Sequence, residues 1–233
     1  MALKVISAGA VKSMVVALGA EFERETGHKL DLNFGTAGAM RDRVRNGETA
    51  DLVVLSESAI AELAKAGLVD AQSVTDLGRT VTGVIVREGA AKPDISTPEA
   101  FKQALRSARS VAYTDPKAGG SGGIMFAALL QKIGLADEVN AKAVLCKGGA
   151  DVSARVAAGE AEIGTTFISE ALPVKGLTVV GLLPGDLHNA NTYTAALGAG
   201  SAQGPLARDF LRFLTAPASR PRWTAAGLEP AFG

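Results

Sequence analysis

The strongest constraint on this chain is its rhythm, in which short apolar runs alternate with stretches that carry apolar residues at helical spacing. Residues 4–7 read as a strand. Val11, Val15, Leu18 and Phe22 then recur on one helical stripe, which Gly27 ends. A strand over 29–34, a short charged helix over 39–46 and a buried strand over 51–55 continue the pattern. The next helix runs through Lys65 to Gly67, with Ser56 or Ser58 as its cap. Alternation of this kind predicts a parallel sheet with helices on both faces.

The rhythm changes near Gly78, where an apolar run over 81–87 follows no helix of its own. Thr97 and Pro98 mark a helix start, the first as cap and the second at the first helical position. Strand 110–114, helix 122–133, strand 142–146, helix 151–158 and strand 162–165 build a second α/β unit. An extended segment over 191–197 follows. Two helices close the chain, one with Leu206, Phe210 and Leu214 on one face and one containing Trp223. These helices bring no strands of their own, so they must pack on the first unit. The expected organisation is a discontinuous lobe of residues 1–81 and 190–233, interrupted by an inserted lobe of residues 82–189.

Composition removes several function classes. Lys plus Arg and Asp plus Glu stand at 24 each, so no net field draws the chain to nucleic acid, and none is expected as a partner. The lone Cys146 excludes an intrachain disulfide and a thiolate-rich metal site; it reads as a small apolar residue at a strand end. His28 and His188 are far apart, which argues against a histidine metal site or a Ser-His-Asp triad. No metal and no cofactor are expected. No run of 18 apolar residues occurs, so no membrane-spanning helix is predicted. The opening residues pass straight into a strand; the expected location is the cytoplasm, or the periplasm if an export signal has been removed.

Chemistry should gather at strand ends, where helix N-termini present their amides. Four small, polar loops fall there: Ser7-Ala8-Gly9-Ala10, Gly35-Thr36-Ala37-Gly38, Asp115 to Gly123, and Thr165-Thr166-Phe167-Ile168-Ser169. Each alone has an ordinary explanation in turn and cap chemistry. Together they favour an anion site, with hydroxyls from Ser7, Thr36 and Ser121 completing the shell. None is a nucleotide loop, because Gly119 to Gly123 matches neither the phosphate-loop nor the dinucleotide pattern. Lys12, just inside the first helix, faces either the anion or solvent, and Arg79 near the chain crossing poses the same choice. Lys12, Asp115, Glu170 and Tyr193 are the ionisable groups near these loops; spacing ranks none of them as a base, and no catalytic residue is assigned.

The order of these segments resembles the type II periplasmic solute-binding proteins, in the branch similar to the molybdate-binding proteins of ABC transporters. The resemblance rests on Val5 to Ala10, Phe34 to Gly38, Ala50 to Leu55, Asp115-Pro116 with Ser121-Gly122, Gly159 to Gly164 and Ala226 to Pro230. It implies two α/β lobes joined by two crossover hinge strands that close on a small anion. It also implies a monomer that passes its ligand to an ABC permease if exported. Carried onto this sequence, the site residues are Ser7, Ala8, Gly9, Ala10, Lys12, Gly35, Thr36, Ala37, Ser121, Gly122, Thr166 and Phe167. Phe167 stands where molybdate binders usually carry a Tyr, which removes a donor for a tetrahedral oxyanion. The stretch Ile168 to Pro173, continuing to Gly181 to Pro184, looks more like a sub-branch thought to bind organic acids, which also contains an aconitate isomerase-like protein. Two readings follow from it: capture of an oxyanion or organic carboxylate, and cofactor-free isomerisation of a di- or tricarboxylic acid.

Overall fold

The structure is a computed structural model and describes residues 2–233. In chain order it opens with β1 (Leu3–Ala8), α1 (Lys12–Thr26), β2 (Leu30–Gly35), α2 (Ala37–Arg45), β3 (Leu52–Ser56) and α3 (Glu57–Lys65). Then come β4 (Thr75–Arg87), α4 (Pro98–Ser107), β5 (Val111–Thr114), α5 (Ser121–Lys132), α6 (Ala136–Asn140) and β6 (Ala143–Cys146). The series continues with α7 (Gly149–Ala158), β7 (Ile163–Phe167), α8 (Ile168–Ala171), β8 (Leu177–Leu182) and β9 (Ala190–Leu197). It closes with α9 (Gly204–Leu214), α10 (Arg220–Ala225) and β10 (Glu229–Pro230). The chain divides into two compact units, one running up to Arg79 and resuming over Asn191–Gly233, the other Thr80–Ala190.

In the first unit the strands lie in the order β2-β1-β3-β9. β1 pairs in parallel with both β2 and β3, whereas β9 runs antiparallel to β3. The sequence rhythm predicts only parallel pairing, and β9 departs from it for a simple reason. It enters from the inserted unit directly after β8, with no α-helix between β8 and β9 to carry the chain back for a parallel crossover. The apolar stripe of α1 buries Met14, Val15, Leu18 and Phe22, and Gly27 ends the helix in the left-handed conformation at φ 75°. The late helices complete this core. Phe22 of α1 meets Phe210 of α9 with ring centroids 5.0 Å apart. Trp223 is fully buried, and its indole N–H donates to the Leu214 carbonyl at 3.0 Å, so its one polar group is satisfied.

The second unit has the order β8-β4-β7-β5-β6. β5 pairs in parallel with β6 and β7, while β4 is antiparallel to both β7 and β8. Helices cover both faces. On one side Phe101, Leu105, Phe126, Leu130 and Val139 pack over Val111 and Tyr113. On the other, Val152 and Val156 of α7 pack over Ile85 and Ala112 with Cys146 and Ala171. Thr97 caps α4 by accepting from the Ala100 amide at 3.1 Å, with Pro98 at the helix start. Ser56, by contrast, makes no side-chain cap to α3 and contacts the Ser58 hydroxyl at 3.3 Å instead. Strand β8 and the short α6 are among the elements that sequence periodicity misses. β8 is half-buried along most of its length, which blurs its alternation, and α6 has one turn of chain to show a period.

Candidate functional site

The first unit gathers its expected residues where β1 and β2 end. The parallel register sets Ser7 beside Phe34 and Ala8 beside Gly35, so the two loops leave the sheet side by side. Ser7 is fully buried, and its hydroxyl donates to the Ala8 carbonyl at 3.2 Å. One tight turn, Gly9–Val11, leads into α1, and its cap position is held by Ala8, which has no side-chain acceptor. The amides of this helix start are therefore not consumed by a side-chain cap. Thr36 behaves differently. It caps α2, its Oγ1 accepting from Ala39 N at 3.2 Å, so this hydroxyl first serves its own helix. The leading amides of α2 belong to the buried Ala37 and Gly38.

Lys12 is exposed, and its ammonium lies 5.5 Å from the centroid of the Phe34 ring. Cation and ring thus meet at the end of β2, next to Gly35. Tyr193, on β9, is buried and faces Ser56 across the antiparallel pair. Arg79 is exposed and pairs along the backbone with Glu229.

The second unit builds a counterpart where β5, β6 and β7 end. Ser121 opens α5 behind Gly120, with no side-chain cap. Gly122 packs so closely on Phe167 that an added Cβ would lie 3.2 Å from the ring. Gly123 is tighter still, since a Cβ there would strike the Thr114 carbonyl. Asp115 accepts from Lys117 N at 2.9 Å and is a turn residue. Thr166 and Phe167 end β7, both buried, and the Thr166 hydroxyl has no hydrogen-bond partner. Three more hydroxyls of this unit share that condition: Thr82, Thr165 and Ser169. Buried hydroxyls without partners cost free energy, and Thr166 is the one of the four that lies at the start of α7.

The sequence reading passes over one loop here. Gly148 and Gly149 follow β6 and start α7, again with no side-chain cap. A Cβ on Gly149 would collide with the Glu170 carboxylate and with the Thr166 hydroxyl, so both groups rest on the first turn of α7. Glu170 lies on α8 and is half-buried by surface, with its carboxyl set deep in the unit. Desolvation raises this carboxyl to about 7, and the hydrogen bond from the Gly149 amide pulls only weakly the other way. It is the one ionisable group near the loops that burial tunes to neutrality. The signal that finds it is the Gly-Gly pair after a strand and before a helix. Its meaning emerges only when a distant carboxyl is seen to need the room.

Such a set of groups can hold a small anion by backbone amides and hydroxyls, and Glu170 can exchange a proton with it near neutral pH. Among the described residues no cluster of three or more His, Cys, Asp or Glu side chains is placed to hold a metal ion. Cys146 is buried, and burial followed by the nearby Asp151 charge pushes its thiol up to about 11, far from a reactive thiolate. Among the described residues no helix is long and apolar enough to cross a membrane.

Known proteins give the pattern a family. The sequence pattern of the bacterial extracellular solute-binding proteins matches residues 3–229. An aconitate isomerase from a Pseudomonas species is 34% identical over 233 residues, 98% of this chain and 87% of that protein. The molybdate-binding protein ModA of Escherichia coli (strain K12) is 23% identical over 197 residues, 84% of this chain and 76% of its own. Among solved structures, the periplasmic molybdate-binding protein of Azotobacter vinelandii superposes with a TM-score of 0.78 at 20% identity. That superposition covers 97% of this chain and 98% of the other.

Proposed function

The chain belongs to the bacterial extracellular solute-binding protein family, and from that premise we propose that it captures a small oxyanion or organic carboxylate. The observation that carries this reading is the repetition of one device in both units. Helices α1, α5 and α7 begin at strand ends without N-cap side chains; α1 and α5 leave amide hydrogens for a negatively charged guest, and at α7 the first amide already holds the Glu170 carboxyl. Hydroxyls of Ser7, Ser121 and Thr166 stand beside them, and Lys12 adds a cation at the end of β2. In this proposal capture of the anion replaces water by fixed amide dipoles. We further place the protein in the periplasm as a monomer that supplies an ABC permease, following the family to which it belongs.

The test is a titration of the purified protein with molybdate, sulfate and trans-aconitate, followed by calorimetry and thermal unfolding. Binding by at least one, with a rise in unfolding temperature, is expected. A flat response to all three at millimolar concentration contradicts the reading.

A second reading, cofactor-free isomerisation of an unsaturated carboxylic acid, draws on two specific facts. The Pseudomonas aconitate isomerase shares 34% identity across nearly the whole chain, and unit two holds a carboxyl at about 7. In such a step a carboxylate takes a proton from carbon, the electron pair moves across the adjacent double bond, and the proton returns at the far carbon. Deuterium from solvent then enters the acid. Incubation of trans-aconitate with the protein in heavy water, read by proton NMR, tests it; unchanged spectra after long incubation rule it out.

A further inference from the structure

Glu170 occupies an unusual place for a carboxylate in a protein that binds anions. Its carboxyl accepts the first amide of α7, the same donor that a helix start offers to an anionic ligand. Gly149 leaves no room for a Cβ because the carboxyl and the Thr166 hydroxyl fill that space. Thr166 is 4% exposed, and its hydroxyl has no hydrogen-bond partner, although it sits at the helix start with the carboxyl. The place therefore contains a donor, an unused hydroxyl and an acid, all within one helix turn.

The surroundings supply no charge to settle the acid's state. Helix α8 packs on α7, β7 and β8. β7 and β8 carry no ionisable side chain, and α8 carries only Glu170 itself. On α7 the charged groups are Asp151 and Arg155, which pair with each other at 3.3 Å, and Arg155 also reaches Glu160. Lys147 and Lys175, in the flanking loops, are exposed. No cation neutralises a Glu170 carboxylate, and a second anion brought to the α7 start would face it across a poorly solvated gap.

We propose that the site takes its anion together with one proton shared between Glu170 and the ligand, and that the ligand is an organic carboxylate. This rests on the anion-capture reading above. Two carboxyls that share a site hold one proton between them, because both cannot ionise at close range. A carboxylate ligand can carry that proton at either oxygen, and the Thr166 hydroxyl adapts by donating or accepting. Sulfate is the anion of a stronger acid and leaves the whole cost of the proton to Glu170. The exchange balances: one proton leaves the solvent, one carboxyl–carboxylate pair forms, and nothing is oxidised or reduced.

The experiment is calorimetric titration with trans-aconitate in two buffers of different ionisation heat, repeated from about pH 6 to pH 8.5. With a free carboxyl at about 7, uptake of roughly half a proton per ligand is expected near pH 7, rising towards one above it. Affinity falls by up to about tenfold per pH unit on the alkaline side. E170Q abolishes the proton uptake and flattens the pH profile; the wild-type titration stands alone if that variant fails to fold. Binding of trans-aconitate with no proton uptake and equal affinity at both ends of the range overturns the shared proton and leaves anion capture intact. Binding of molybdate or sulfate with trans-aconitate inert overturns the carboxylate class. No binding of any of the three overturns this inference and the reading beneath it together.

Discussion

The two units end their parallel strands in the same way and equip those ends with opposite chemistry. In the first, the loops after β1 and β2 carry a buried serine, small residues and an exposed lysine over an aromatic ring. In the second, the loops after β5, β6 and β7 carry a carboxyl near neutrality and buried hydroxyls without partners. The fixed half offers donors whatever the pH. The other half can change its charge. One architecture thus carries two kinds of strand end, one furnished with small residues and a lysine, the other with a carboxyl that burial tunes.

Substitutions at matching places should separate the halves by size of effect. Gly123→Ala drives a methyl group into the Thr114 carbonyl, a backbone atom that cannot turn aside. Overpacking of this kind costs about 2–3 kcal/mol, and chemical denaturation should show that loss. At Gly35 in the other unit an added methyl meets only the end of the Met40 side chain. That chain can move, so Gly35→Ala should cost less than about 1 kcal/mol. Equal losses at the two positions would erase the contrast in tightness.

Glu170 comes next in size. Its folded carboxyl is raised, so the fold favours the protonated form and loses stability as pH climbs from the unfolded value of 4.5 to about 7. Above that the loss is complete and constant. E170Q should therefore stabilise the protein at pH 8 by on the order of 2 kcal/mol and change little near pH 4. Unfolding curves at the two pH values decide it, and a variant less stable at pH 8 would mean that the carboxylate is held by partners after all.

Ser7→Ala should leave the fold intact and weaken anion affinity by about tenfold, the usual worth of one hydrogen bond to a charged group. Lys12→Gln should have the smallest effect, on the order of twofold, shrinking as salt is added, because its ammonium is solvent-exposed. If Lys12→Gln outweighs Ser7→Ala, attraction in the first unit is ionic rather than amide-based.

Much of this contrast is written in local sequence, and some of it cannot be. Apolar spacing over Val11 to Phe22 and the Gly27 stop describe α1, and Thr97-Pro98 describes the start of α4. The small loops at Ser7 and Gly35 stand side by side because parallel register brings strand ends together, and spacing alone anticipates that. Antiparallel pairing of β4 and β9 is not legible in the same way, since periodicity carries no strand direction. Thr36 illustrates a different limit: a hydroxyl at a helix start looks the same in sequence whether it binds a ligand or caps Ala39. Glu170 is the clearest case. Four ionisable residues compete near the loops, and burial against a glycine 21 positions earlier singles out one of them. That is a tertiary fact, which no window of local sequence contains.

The central claim is that helix-start amides at the strand ends receive an anion, and amide NMR of the isotope-labelled protein tests it most directly. Titration with the anion that binds should shift amide signals at these helix starts, among Gly9, Ala37, Gly38, Ser121, Gly122 and Gly149, and the shifts should saturate. Shifts spread over exposed lysines while these amides stay unmoved would contradict it.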